Sequence, residues 1–203
     1  MLYSAENVTA EGFADCFALH FCSVSLGDFP MKDAHRRVLE YARQNGAIIS
    51  FDPNLRPPLW KSSEAMVSAA KEFMPKADFI KISDNELLPL TGTDDIEAAC
   101  KILLKTAKLV ICTCGADGAY AFTGSTGVYV PSKKTAAKDT TGAGDAFCGS
   151  FLYSLYKNGF DRDTIGCISK DDLEKMTAAS NRYCAESVQK SGAIESYPSS
   201  LEI

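Results

Sequence analysis

Asp139-Thr140-Thr141-Gly142-Ala143-Gly144-Asp145 runs directly into an apolar series, Ala146, Phe147, Phe151, Leu152 and Leu155, that repeats at helical intervals. A small-residue turn followed by a helix has a specific chemical use. Amides in the first turn of a helix have no intrahelical partner and point outward, which favours an anion there. The small side chains at Gly142, Ala143 and Gly144 let a phosphoryl group come close. Asp145 stands where a carboxylate can accept a proton from an attacking hydroxyl. The plain alternative is an ordinary helix entry, with Asp139 or Thr141 as the cap and the glycines allowing close backbone packing. The spacing matches neither a Walker A loop nor the Gly-x-Gly-x-x-Gly of dinucleotide folds.

Outward from this turn the chain alternates between strand and helix patterns. Phe17 to Leu26 is apolar and β-prone, Asp33 to Gln44 has helical spacing, and Gly46 ends that helix. Ala47 to Phe51 is a continuous apolar run of the kind that buried parallel strands show. Ser62 or Ser63 caps a helix reaching Phe73, and a strand follows at Asp78 to Ile82. Short helices at Asn85–Leu90 and Asp94–Thr106 precede a strand at Leu109 to Thr113. Ala119–Phe122 and Gly127–Val130 flank Gly124 as an antiparallel hairpin. Long helices close the chain, one to about Lys157 and one from Lys170 to about Gln189. This order predicts an α/β fold with a mostly parallel sheet covered on both faces, in one domain over residues 1–203. Ligands of such sheets bind beyond the carboxyl ends of the strands, where the turns named here fall.

With 203 residues, 46% of them hydrophobic, the chain can bury a substantial core. A net charge of −5 argues against a nucleic-acid or acidic-membrane surface. No apolar run approaches a membrane span, and the first residues lack the pattern of a signal peptide, so a cytoplasmic protein is expected. Eight cysteines are scattered without a Cys-x-x-Cys pair. Most sit among apolar residues and read as small buried thiols rather than as metal ligands or disulfides.

The 139–145 segment resembles the second signature of the ribokinase-like (PfkB) carbohydrate kinases. Four further segments agree in order: Phe51-Asp52-Pro53-Asn54-Leu55-Arg56, Lys81-Ile82-Ser83-Asp84-Asn85-Glu86 with Leu90-Thr91-Gly92, Thr113-Cys114-Gly115-Ala116-Asp117-Gly118, and a tail containing Asn181, Gly192-Ala193 and Tyr197-Pro198. The wording of the first two is most similar to the fructokinase and 2-keto-3-deoxygluconate kinase branch. The resemblance implies a Rossmann-type three-layer α/β/α sandwich and ATP-dependent phosphorylation of a small sugar or sugar acid, with ATP, Mg2+ and K+ as cofactors. It also implies that roughly 100 residues of the family pattern, the first strands and the β-lid among them, are missing. A chain lacking them is expected to form a homo-oligomer. The alternative function is a non-catalytic nucleotide-binding or interaction module derived from such a kinase.

Carried over position by position, the resemblance makes Asp145 the base and Gly142, Ala143 and Gly144 the amide donors to the transferred phosphoryl group. Arg56 and Lys81 are cationic candidates for phosphate contact, with a solvated surface charge as the alternative for each. Glu86 matches the acidic residue that organises Mg2+ through water, and Ser83 stands where the family motif has Asn. Thr113, Gly115, Asp117 and Gly118 resemble the loop carrying the ATP phosphates and ribose. Asn181 resembles a residue lining the adenine pocket, against the alternative of a polar helix-surface residue. Asp139 and Thr141, with backbone carbonyls near Ser187, Lys190, Gly192 and Ser196, resemble a monovalent-cation site.

Overall fold

The computed structural model describes residues 2–200. The chain is mixed α/β and divides into two compact units, Met1–Val110 and Ile111–Ile203.

In the first unit β1 (Ala18–Cys22) pairs in parallel with β2 (Ile48–Asp52), from Ala18↔Ile48 to Cys22↔Asp52. β2 pairs in parallel with β3 (Phe79–Ser83) at Ser50↔Phe79 and Phe51↔Ile80. All five residues of β2 are buried, as the continuous apolar run predicts for a strand covered on both faces. β1 is shorter than its apolar run, because a 3-10 turn takes over at Ser23–Ser25.

The connecting helix α1 (Pro30–Gln44) begins three residues before the expected Asp33. Pro30 accounts for this, since its fixed φ suits the first helical position and its missing N–H costs nothing there. Ser62 caps α2 (Ser63–Phe73) by accepting from the Ala65 amide at 3.2 Å. α3 (Asp84–Thr91) ends at Gly92 in the left-handed region, and Asp95 caps α4 (Ile96–Leu103) through the Ala98 amide. The core between these elements contains Phe51, Phe73 and Phe79, with Phe21 tilted against Phe51 at 4.7 Å between ring centres.

β4 (Leu109–Thr113) begins in the first unit, where the Leu109 amide donates to the Asp78 carbonyl at 3.1 Å, and ends in the second. In the second unit β5 (Gly118–Thr123) and β6 (Gly127–Pro131) form the expected antiparallel hairpin, from Gly118↔Pro131 to Phe122↔Gly127. A Cβ at Gly118 would lie 2.2 Å from the Val130 carbonyl oxygen, so the close approach of the two strands requires glycine there. Two helices complete the unit and pack along each other, α5 (Ala143–Lys157) and α6 (Lys170–Ser187). Phe147, Phe151, Leu155, Leu173 and Met176 are the large apolar residues among those they bury. Among the described residues no helix is long and apolar enough to cross a membrane.

Candidate active site

The 139–145 turn folds as a loop entering α5. Gly142 is the N-cap residue, with φ +77°, and the helix begins at Ala143. The Ala143 amide donates to the Thr140 carbonyl at 3.1 Å and the Ala146 amide to the Gly142 carbonyl at 2.8 Å. Asp139 does not cap the helix. Its Oδ1 accepts from the Thr141 amide and its Oδ2 from the Gly192 amide, both at 2.9 Å. These donors, Gly192 first and then Thr141, hold the Asp139 carboxyl at about 2, well below its usual 3.8.

Two cavities meet the first turn of α5 from different directions. One, of about 120 Å³, brings together Thr113, Gly115 and Gly118 from the β4–β5 turn with Gly144 and Asn181. The other, of about 530 Å³, is lined by Asp145, Ser150, Tyr153, Tyr183 and Tyr197. Two consecutive residues, Gly144 and Asp145, therefore face different spaces. The Asp145 side chain is exposed.

Other expected positions of this unit differ in setting. Asp117 sits on the same turn as Gly115 with its side chain exposed, and its carbonyl accepts from the Tyr129 hydroxyl at 2.8 Å. Asn181 is only 5% exposed, and its Nδ2 donates to the Val130 carbonyl at 2.9 Å, which excludes the helix-surface alternative. Ser187 and Ser196 are buried; their hydroxyls donate to the carbonyls of Cys184 and Ala193. The Ser187 carbonyl accepts from the Lys190 amide. Asp139, Thr141 and Gly192 are brought into direct hydrogen-bond contact, while Lys190 is exposed. Carboxylate and main-chain oxygens are hard donors of the kind that oxygen-ligated cations take.

In the first unit Glu86 is 7% exposed and accepts from two backbone amides, Ser83 at 3.0 Å and Leu55 at 2.6 Å. It thus ties the start of α3 to the Asn54–Arg56 loop, and its carboxylate oxygens retain further lone pairs for water. Lys81 is buried beside Asp52, with Nζ 3.0 Å from Oδ2. The solvated-surface alternative is therefore excluded for Lys81. Arg56 is exposed and donates to its neighbour's carbonyl, that of Leu55, at 3.2 Å.

Sequence reasoning missed Cys184, whose thiol donates to the Ala143 carbonyl at 3.2 Å and which lines the smaller cavity with Phe147 and Ser132. It also missed the side chain of Tyr197, whose hydroxyl donates to the Gly142 carbonyl at 3.1 Å. Neither contact has a local signal, since the partners lie 41 and 55 residues apart.

The family model described as pfkB family carbohydrate kinase matches residues 10–200. Fructokinase-1 of Zea mays is 35% identical over 205 residues, an alignment covering all of this chain and 62% of the maize protein. A crystal structure of fructokinase with bound ATP from Xylella fastidiosa superposes with a TM-score of 0.87 at 28% identity, over 97% of this chain and 63% of that one. A fructokinase double mutant from Vibrio cholerae O395, in a fructose, ADP and potassium ion bound form, superposes with a TM-score of 0.86 at 28% identity, over 97% and 61% of the two chains. This chain thus spans about three fifths of the length of these relatives. The likenesses agree with the ribokinase-like α/β fold expected from the sequence.

Proposed function

Since the chain belongs to the pfkB family of carbohydrate kinases, we propose that it carries the nucleotide and transfer portion of an ATP-dependent sugar kinase of fructokinase type. The observation that carries this reading is the placement of Gly144 and Asp145 on one helical turn between two cavities. Phosphoryl transfer asks a protein mainly for positioning and charge stabilisation. The amides of Gly142, Ala143 and Gly144 would hold the γ-phosphoryl oxygens, that of Ala143 shared with the Thr140 carbonyl to which it donates, aided by the positive end of the α5 dipole. Asp145, facing the larger cavity, would take the proton from a sugar or sugar-acid hydroxyl as its oxygen attacks phosphorus, giving the sugar phosphate and ADP.

Thr113, Gly115, Gly118 and Asn181 would line the nucleotide recess, with Asp117 at its turn. Arg56 would supply an exposed cation for phosphate, and Lys81 would act by anchoring Asp52 rather than by touching a ligand. Glu86, with Ser83, would position water around Mg2+, which neutralises phosphate charge when bound. Asp139, Thr141 and carbonyls near Ser187, Lys190, Gly192 and Ser196 would hold K+ beside the loop. The Vibrio cholerae structure that this chain resembles contains a potassium ion, which supports that choice. The working compartment would be the cytoplasm.

Calorimetry with ATP and ADP in the presence of Mg2+ tests the reading. Weak binding is expected from the wild type and none from Gly144→Val, whose side chain would occupy the recess. Equal binding by the two proteins would overturn the assignment of the loop. A second reading is a nucleotide-binding module without turnover. ATP binding without formation of ADP in the presence of fructose would select it.

A further inference from the structure

We propose that Tyr197 is a positioning residue of the transfer loop: by donating its hydroxyl to the Gly142 carbonyl, it sets the direction in which the first turn of α5 presents its amides. The inference rests on the phosphate-holding role given to that loop.

The Gly142 carbonyl accepts two hydrogen bonds, from the Ala146 amide at 2.8 Å and from the Tyr197 hydroxyl at 3.1 Å. The first belongs to the helix and follows its rotation. The second comes from outside and fixes the peptide plane against the tail. Contact at this point is close: a Cβ on Gly142 would lie 2.7 Å from the Tyr197 hydroxyl and 2.9 Å from the Ala193 Cβ. Gly142 also has φ +77°, a conformation that leaves the following peptide several orientations unless something selects one.

Tyr197 is itself held. Its ring lies 6.3 Å from that of Tyr183, whose hydroxyl donates to the Pro198 carbonyl at 3.0 Å. On the other side of the tail, Gly192 donates to Asp139. One short tail therefore fastens the loop at both ends, at Asp139 through Gly192 and at Gly142 through Tyr197. The ring alone would fill the same space, so the hydroxyl is what fixes the carbonyl.

Tyr197→Phe removes the hydroxyl and keeps the ring. The test measures affinity for a non-hydrolysable ATP analogue and for ADP, together with amide hydrogen exchange at Ala143 and Ala146 and the thermal midpoint. Affinity for the analogue is expected to fall roughly 5- to 10-fold, the equivalent of one hydrogen bond of ordinary net strength. ADP, which has no γ-phosphate to reach the loop, should change by less than about 2-fold on the same scale. Exchange at both amides should quicken while the thermal midpoint holds. Unchanged preference for the analogue with unchanged exchange would overturn the role of Tyr197 alone. Equal loss for both nucleotides with a lowered midpoint would show a packing role and also overturn it. A wild-type protein that binds neither nucleotide would instead remove the phosphate reading, and this proposal with it.

Discussion

The ammonium of Lys81 lies 3.0 Å from Oδ2 of Asp52, and the two side chains are 7% and 3% exposed. The pair joins the end of β2 to the middle of β3, and Oδ1 of Asp52 also accepts from the Asn54 amide at 3.1 Å. Removing one charge leaves the other buried, which typically costs about 3–5 kcal/mol, whereas replacing both can be nearly neutral. Lys81→Met should therefore destabilise the protein by about that amount in urea unfolding. Adding Asp52→Asn, which preserves the acceptor for Asn54, should restore most of it. A single-variant loss below about 1 kcal/mol would show that the charge left behind is still solvated.

Asp139 makes attachment of the tail sensitive to acid. Its folded pKa of about 2 lies below the ordinary 3.8, so the carboxylate bonds to Gly192 and Thr141 are fully present above about pH 4. They are lost as pH falls through 2. Amide exchange at Gly192, corrected for the intrinsic rate, should become faster between pH 4 and 2. The Asp139→Asn variant should show fast exchange throughout. Protection unchanged down to pH 2 in the wild type would mean that other contacts hold the tail.

Asp145→Asn tests the base directly. Wherever sugar-dependent ADP formation is measurable, the variant should lose about 10²- to 10⁴-fold in rate. ATP affinity should barely move, because the side chain faces the larger cavity and not the smaller one proposed for the nucleotide. A rate near that of the wild type would reduce Asp145 to a first-turn carboxylate that complements the helix dipole.

Among the described residues β1 lies at the end of the strand order and pairs with β2. An edge strand of this kind is a template for strand addition. Sedimentation of the protein at micromolar concentration is expected to show reversible association, strengthening with concentration. A monomer with a high thermal midpoint across that range would show that the edge is adequately protected.

Features written in adjacent residues were legible in the sequence. The Ser62 cap, the buried run of β2 and the hairpin at β5 and β6 follow from local chemistry, and the structure places them within a residue or two of expectation. The entry to α5 was legible for the same reason. Pro30 was a local signal too, and its helix-starting role went unread in favour of the spacing that begins at Asp33. Long-range pairings could not be read. Lys81 meets Asp52 across 29 residues and Asn181 meets Val130 across 51, so their burial depended on partners that no local pattern names. The same holds for Asp139, whose carboxylate serves Gly192 rather than the helix it precedes.

Consecutive residues of an α-helix are separated by about 100° around its axis. With Gly144 and Asp145 facing different cavities, any turning of α5 about its own axis moves both at once. Phe147, Phe151 and Leu155 lie buried in the same helix and resist such turning, because a packed interior has little room to yield. On the proposed reading, phosphate contact and proton acceptance would therefore be mechanically coupled. A substitution in the interior of α5 that rotates it slightly would shift both together.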